Sequence, residues 1–301
     1  MPFSFVPYHP AALTGVQNPA DVERFNAHLP NARLVLAGDT PLAAVTHWKN
    51  AVHPQLMPVA VLLAENCPTE LFPALIEAIV ANWLAIAKAQ HFAGISLTTQ
   101  SDATALASEL NMRGMRRVRT TYLPAVPLNA VTREQTTAAG DGDGVDSETT
   151  ASPVAAGRVL TLRALLATQP LATTFKTTVQ AAYAAVHQLN PVREMTPDEW
   201  WHLIETDLLQ DLPTGLIDAT GQVRAFVLSY RASATAAECG YVFGEKNDLL
   251  PLWQTVIEAL QAQGFTTLTG EFDDTDPSAL AVLTTLPQAG LAELATFVIK
   301  F

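Results

Sequence analysis

Apolar and polar positions along the chain set out one order of elements twice. An apolar run, MPVAVLLA from Met57 to Ala64, precedes a long periodic segment after Pro68, PTELFPALIEAIVANWLAIAKAQHF, and then a second short apolar run, GISL from Gly94 to Leu97. A helical pattern, DATALASELNMRGM, and a strand-like one, RRVRTTYLPAV, complete the stretch. Short branched-aliphatic runs read as strands and long periodic segments as helices, so the order is strand, helix, strand, helix, strand. The same order returns near the C-terminus as AECGYVFG (Ala237 to Gly244), LLPLWQTVIEALQAQGF, TTLTGEF, PSALAVLTTLPQAG and LAELATFVIKF. Repetition in fixed order predicts two domains, each near the common size of about 150 residues.

The flanking segments fit that division. ADVERFNAHL places Val22, Phe25 and Leu29 at helical spacing, with Asn18 as N-cap and Pro19 at the first helical position. ARLVLAG and LAAVTHWKNAV predict a hairpin. The helix after Pro68 is apolar on more than one face, which predicts more than one covering neighbour, and its strand-helix-strand setting predicts a parallel crossover. The second half opens with GRVLTLRAL (Gly157 to Leu165) as a strand. Two helices follow, TTFKTTVQAAYAAVHQLN and PDEWWHLIETDLL, the latter with a capping box from Thr196 and Glu199. GLIDATGQVRAFVLSYRA is a hairpin turning at Ala219 to Gln222. Asn129 to Gly157 lacks aromatics and is rich in Gly, Ala, Thr and Asp, too little apolar surface to offset the entropy of ordering. The expected layout is therefore 1–128 and 158–301, joined by an acidic linker over 129–157.

Composition narrows the partners. A formal charge of −12 and a pI near 4.9 argue against a nucleic-acid or anionic-membrane binder and favour neutral or cationic small molecules. Cys67 and Cys239 form neither a disulfide framework nor a CxxC pair, which fits a reducing cytoplasm. MPFSFVPYHPAAL carries no basic residue ahead of its apolar ones and does not look like a signal peptide. Leu71 to Ala87 is interrupted by Pro73, Glu77 and Asn82 and reads as a buried helix instead of a membrane span. No His, Cys, Asp or Glu spacing is metal-like.

On this order of elements each half resembles the GNAT superfamily of acyl-CoA-dependent N-acetyltransferases: strand, two helices, hairpin, central strand, long cofactor-side helix, strand, short helix, closing strand. The resemblance covers nearly all of Gly157 to Phe301, and Ala20 to Pro127 with a shortened beginning. It implies an α/β fold with two GNAT-like domains, each a mixed central sheet flanked by helices. It also implies acetyl-CoA as donor and an amine of a small molecule or peptide as acceptor. The halves depart from the family at the loop after the central strand, where glycines let backbone N–H groups hold a pyrophosphate. Here the loops are AENCPTEL and FGEKNDLLPLW. A helix N-terminus still attracts an anion, but Glu70, Glu245 and Asp248 add negative charge. By position, Gly244, Glu245, Lys246, Asn247 and Asp248 are the cofactor-side residues. The tyrosine that often protonates the leaving thiolate is replaced by Leu110 before Gly114 and by Leu286 before Gly290.

The same resemblance assigns Glu238, on the second central strand, as the base that deprotonates the amine; on the residues alone a carboxylate near a strand end is ordinarily just solvated. Cys239 would face the opposite side of the sheet. Tyr241 and Tyr230 are candidates for the missing acid, or core aromatics. His187, Trp200 and His202 are expected to line the acceptor cleft beside Trp201, or to be packing residues on helix faces. Arg113, Arg116, Arg117 and Arg119 form a basic cluster suited to the acidic linker, the other domain or a phosphate, or simply to a solvated edge strand. Asp276 reads as an N-cap, with Asp273 and Asp274 as further contacts for a cation. The leading expectation is a cytoplasmic acetyltransferase acting through its C-terminal domain, with the N-terminal domain as a structural or regulatory partner. The alternative is a degenerate tandem module that binds ligands or proteins without catalysis.

Overall fold

The computed structural model describes residues 3–13, 15–131 and 157–301. Most of the expected linker, 132–156, lies outside the described residues. In chain order the strands are β1 (Phe3–Pro7), β2 (Arg33–Ala37), β3 (Thr40–His47), β4 (Leu56–Leu63), β5 (Gly94–Gln100), β6 (Arg116–Leu123) and β7 (Ala125–Pro127). They continue as β8 (Gly157–Thr161), β9 (Pro213–Asp218), β10 (Val223–Arg231), β11 (Ala236–Gly244), β12 (Thr267–Gly270), β13 (Phe272–Asp273) and β14 (Ala292–Lys300). The helices are α1 (Val22–Asn26), α2 (Phe72–Ala89), α3 (Thr104–Met112), α4 (Leu162–Leu166), α5 (Gln169–Val186), α6 (Pro197–Ile204), α7 (Lys246–Ala262) and α8 (Pro277–Leu283).

Two compact units emerge, and neither is a continuous stretch of chain. The first comprises Met1–Tyr122, His187–Glu194 and Ala292–Phe301. Its sheet runs β1-β2-β3-β4-β5-β14-β6. The expected hairpin is β2–β3, turned at Gly38, whose φ of 61° a side chain would resist. β4 and β5 are parallel, joined through α2 as the crossover pattern requires. Among the described residues α2 is the one helix long and apolar enough to cross a membrane, but Leu75, Ile76, Ile79, Val80, Trp83 and Ala87 are buried in this unit's core.

The last strand does not close the sheet of the half that precedes it. β14 pairs antiparallel with β5, from Leu294 opposite Gln100 to Lys300 opposite Gly94, and buries Ala295 and Phe297 in the first core. The approach is tight at Gly94, where a Cβ would fall 2.1 Å from the Ile299 carbonyl oxygen. The stretch between α5 and α6 is also clamped to the first unit. Asn190 Oδ1 accepts from the Leu56 N–H at 3.2 Å, and the Arg193 N–H donates to the Val52 carbonyl at 2.9 Å.

The second unit comprises Leu123–Val186 and Met195–Leu291, and its six-stranded sheet runs β7-β12-β11-β10-β9-β8. β7 supplies the edge partner of β12, antiparallel, from Thr267 opposite Pro127 to Thr269 opposite Ala125. Phe175 of α5 stands edge-on to both Trp201 and Phe226 on one face of the sheet. α7 buries Leu249, Trp253, Val256 and Leu260, and the Trp253 indole donates to Thr285 Oγ1 at 3.0 Å.

Three local expectations need correction. The strand expected over Gly157 to Leu165 stops at Thr161, whose hydroxyl accepts from the Ala164 N–H and so starts α4. Asn18 makes no cap hydrogen bond: it stands before a 3-10 turn, Pro19–Asp21, and its amide is spent elsewhere. The helix expected to carry His187 ends at Val186. By contrast the Thr196–Glu199 capping box and the Asp276 cap form as the sequence predicts.

Gly94→Ala should destabilise the first unit by about 2–4 kcal/mol, since the new methyl meets backbone that cannot rotate away. Thermal unfolding read out by the fluorescence of the first unit's tryptophans would measure it; an unchanged melt would mean that β14 is not seated on β5.

Candidate functional site

In the second unit the central strands part company. β11 and β12 pair in parallel only from Ala236 opposite Thr267 to Cys239 opposite Gly270. Beyond that point β11 keeps β10 on one side. On the other, among the described residues, no hydrogen bond replaces β12 until Ser278 Oγ meets the Gly244 carbonyl at 3.4 Å. Backbone N–H and C=O groups in such an edge require a partner, from ligand or water.

The parting coincides with a β-bulge. The β10–β11 register passes from Ser229 opposite Cys239 to Leu228 opposite Tyr241, so Gly240 is the extra residue. Simple alternation would put Tyr241 on the face of Cys239. The bulge turns it to the face of Glu238, which lies directly opposite Tyr230. Gly240 also makes room for that tyrosine: a Cβ there would fall 2.2 Å from Tyr230 Cε2. Cys239 is buried on the other face, and burial raises its thiol pKa far above the usual range.

Glu238, Tyr230 and Tyr241 thus converge, and two residues not anticipated join them. Tyr183 of α5 stands edge-on to Tyr241 at 5.5 Å between ring centres and lies 4.4 Å from the Trp200 ring. Glu271 follows the last paired residue of β12 and acts electrostatically on Glu238 and Tyr241. The Glu238 carboxyl is raised above the ordinary carboxylate value, first by burial and then by Glu271. The Tyr241 phenol is raised by burial, then by Glu271 and Glu238, so it stays protonated at neutral pH. Tyr230 is raised too, chiefly by burial. A glycine inside a strand pattern is a readable bulge signal. Nothing local marks Glu271 or Tyr183, because each arrives on a different element.

The residues expected on the cofactor side sit where β11 runs into α7. Gly244 has φ 136°, and a Cβ would fall 2.6 Å from that of Ala225, so the glycine serves close strand packing. Glu245 alone separates β11 from α7 and, as N-cap residue, makes no side-chain cap hydrogen bond. Lys246 and Asn247 open the helix, both exposed. Asp248 is buried, and its carboxylate accepts from Arg224 at 2.6 Å, which offsets the negative charge expected there.

The expected acceptor residues are dispersed. Trp200 and Trp201 are buried in the second unit. His202 is exposed and contacts Glu205 at 2.9 Å. His187 belongs to the first unit, with its ring 5.0 Å from that of His53. Leu110 and Leu286 are buried and can donate no proton. Two of the four clustered arginines are tied into the first unit. Arg113 caps the end of α3 and bonds the Pro73 carbonyl, Glu77 and Glu109, while Arg117 donates to Thr120 Oγ1.

The first unit repeats the parting of strands but fills it. β4 and β5 pair from Leu56 opposite Gly94 to Val59 opposite Leu97 and then separate. The Ala64 N–H donates to Leu42 of β3, so by alternation Val61 and Leu63 turn their backbone groups toward the gap. There the Asn18 amide donates to the Val61 carbonyl at 2.9 Å, its Oδ1 accepts from the Leu63 N–H at 3.3 Å, and the Gln17 N–H donates to the Leu63 carbonyl. Asp21 ties Asn18 to Thr99 of β5 at 2.7 and 2.8 Å. No register shift interrupts β3–β4. Counting from the first parallel rung and leaving out the bulged Gly240, Pro58 stands where Glu238 does and Ala60 where Tyr241 does. Ala60 packs with Phe25, Ala44 and Leu62 in a small apolar core. A pocket of about 290 Å³ opens at the loop after β4, lined by Leu13, Gly15, Thr40, Pro41, Glu65 and Asn66 among others, with a carboxylate and no cation in its wall.

No protein-family model matches the chain, and no curated protein matches it in sequence. Solved structures do resemble it. The crystal structure of a GCN5-related N-acetyltransferase from Sphaerobacter thermophilus aligns over 99% of this chain and 95% of its own, with 12% identity and a TM-score of 0.56. A tandem GNAT protein from the clavulanic acid biosynthesis pathway aligns over 99% of this chain and 98% of its own, with 14% identity and a TM-score of 0.46. The mixed sheets with their flanking helices and the first of these alignments agree. The chain has the fold of the GCN5-related N-acetyltransferases.

Proposed function

We propose that the second unit is an N-acetyltransferase that moves an acetyl group from acetyl-CoA to an amine, and that the first unit is its non-catalytic partner. One observation carries the assignment: the parting of β11 from β12 is open and flanked by Glu238 and Tyr241, whereas that of β4 from β5 is filled by Asn18. Acetyl-CoA supplies the acyl thioester. The unpaired edge of β11 and the uncapped first turn of α7 suit its amides and phosphates, with Gly244, Glu245, Lys246, Asn247 and the Arg224-neutralised Asp248 as the holding residues. The acidic composition and two free cysteines support a cytoplasmic setting.

The chain's own groups divide the proton work. Glu238, raised by burial and Glu271, takes a proton from the ammonium of the acceptor and leaves a neutral nucleophile. As the new N–C bond forms and the C–S bond breaks, the nitrogen gives up its second proton to solvent, and the Tyr241 hydroxyl supplies the proton that the departing sulfur needs, which its raised pKa keeps in place until then. Glu238 then returns a proton through solvent to Tyr241, and the site is reset.

Glu238→Gln should lower kcat/KM for acetyl transfer by about 100-fold or more while leaving acetyl-CoA binding by calorimetry intact. Undiminished transfer would remove Glu238 as the base. Because Glu238 must be ionised to act, kcat/KM should rise with pH through its raised pKa. Glu271→Gln removes the second cause of that shift, so the rise should move to lower pH. A profile that stays in place would separate the two carboxylates. Asn18→Ala strips partners from Val61 and Leu63 and should cost about 1–3 kcal/mol in thermal unfolding with kcat/KM unchanged. Loss of transfer without loss of stability would put chemistry in the first unit after all.

A further inference from the structure

The loops that leave β4 and β11 occupy matching places and carry opposite charge. Leu63 lies opposite Ala43 on β3 as Gly244 lies opposite Ala225 on β10, so Glu65 stands where Lys246 does and Asn66 where Asn247 does. One residue before Ala43 is Leu42, buried and apolar; one residue before Ala225 is Arg224, the partner of Asp248. α7 starts at Lys246 itself, with its free N–H groups at that place, whereas α2 does not start until Phe72. Arginine, lysine and helix start in the second unit are thus replaced in the first by a leucine, a glutamate and a loop.

At that loop the first unit has a pocket of about 290 Å³. Leu13, Pro41 and Ala64 give it an apolar wall, and Thr40, Asn66 and Glu65 a polar one. Gly15 lets the carboxylate lie against the backbone: a Cβ there would fall 2.6 Å from Glu65 Oε2, while the Glu65 N–H donates to the Gly15 carbonyl at 3.1 Å. Among the described residues no cation pairs with that carboxylate. A carboxylate in this setting attracts a cation and disfavours an anion. One carboxylate is too few for a divalent metal, which takes about six to eight oxygens, and the apolar wall calls for a hydrocarbon body. The volume is at the small end of ligand sites.

We infer that the first unit binds a small alkylammonium ion in this pocket, its nitrogen donating to Glu65, Thr40 and Asn66 and its hydrocarbon lying against Leu13, Pro41 and Ala64. The inference stands apart from the transferase reading, since all of these residues belong to the first unit and none takes part in the proton transfers.

Butylamine, a cation at neutral pH, is the probe, with butan-1-ol as its neutral counterpart and butyrate as its anionic one. Each is titrated into the isotope-labelled full chain, and backbone amide shifts are followed by NMR. Butylamine should move the amides of Gly15, Thr40, Glu65 and Asn66, with the alcohol and butyrate each weaker by about tenfold or more. Glu65→Gln, at an exposed position, should weaken butylamine by about fivefold or more with the fold unchanged by circular dichroism. Glu65→Lys restores the charge found in the second unit and should reverse the preference to butyrate. Equal binding of the three probes, indifference to Glu65→Gln, or shifts confined to the second unit would overturn the inference. So would no response at these amides to butylamine up to about 20 mM.

Discussion

A parallel pair of strands that stays together for only four rungs leaves backbone N–H and C=O groups on two facing edges, and such groups must be satisfied by something. Much of this molecule follows from how each unit meets that demand. In the first, Asn18 and Gln17 bond the freed edge of β4, and Asp21 ties the plug to Thr99 on β5. The gap becomes part of the core. In the second, no segment of the chain enters, among the described residues, before Ser278 reaches Gly244. The same topology therefore gives one sealed unit and one with an edge that a ligand can complete.

What stands beside that edge depends on a single inserted residue. Gly240 has no side chain to collide with Tyr230 and is not matched by any residue of β10, so it both seats that ring and re-aims Tyr241. Carboxylate and phenol then share a face, and burial followed by the charge of Glu271 shifts both toward the protonated form, with Glu238 adding to the shift on Tyr241. The first unit, with an unbroken β3–β4 register, has no means of turning Ala60 in this way and carries Pro58 in place of the carboxylate. A difference of one residue in register thus separates a face that carries a carboxylate and phenols from one that is simply packed.

The two units also share chain. β14 lies on β5, β7 lies on β12, and His187–Glu194 is held by Val52, His53 and Leu56. Contacts of such long sequence separation make each unit dependent on residues from the other half of the sequence. A Cβ at Gly94 cannot be accommodated for that reason.

The element order, the parallel crossovers, the hairpins, the Thr196 capping box and the Asp276 cap were legible along the sequence, because each arises from periodicity or from side chains within a few residues of the backbone they serve. Glu238 and Tyr241 were singled out as candidates through the resemblance, whereas the bulge at the glycine between them went unread although a glycine inside a strand pattern is a signal for one. The partner of β14 was not, since alternation shows that a segment is a strand but not which open edge receives it. Nor were Glu271, Tyr183 and Arg224, which reach the site from other elements and have no local signature. Asn18 was misread for the same reason: its short amide satisfies a helix start or a strand edge equally well, and only the tertiary parting of β4 from β5 decides which. By itself the sequence determined which elements exist, because local physics suffices for that. Which edges stay open and which side chains meet across them was decided by the tertiary structure, where strand pairing and burial act over distances that no local pattern records.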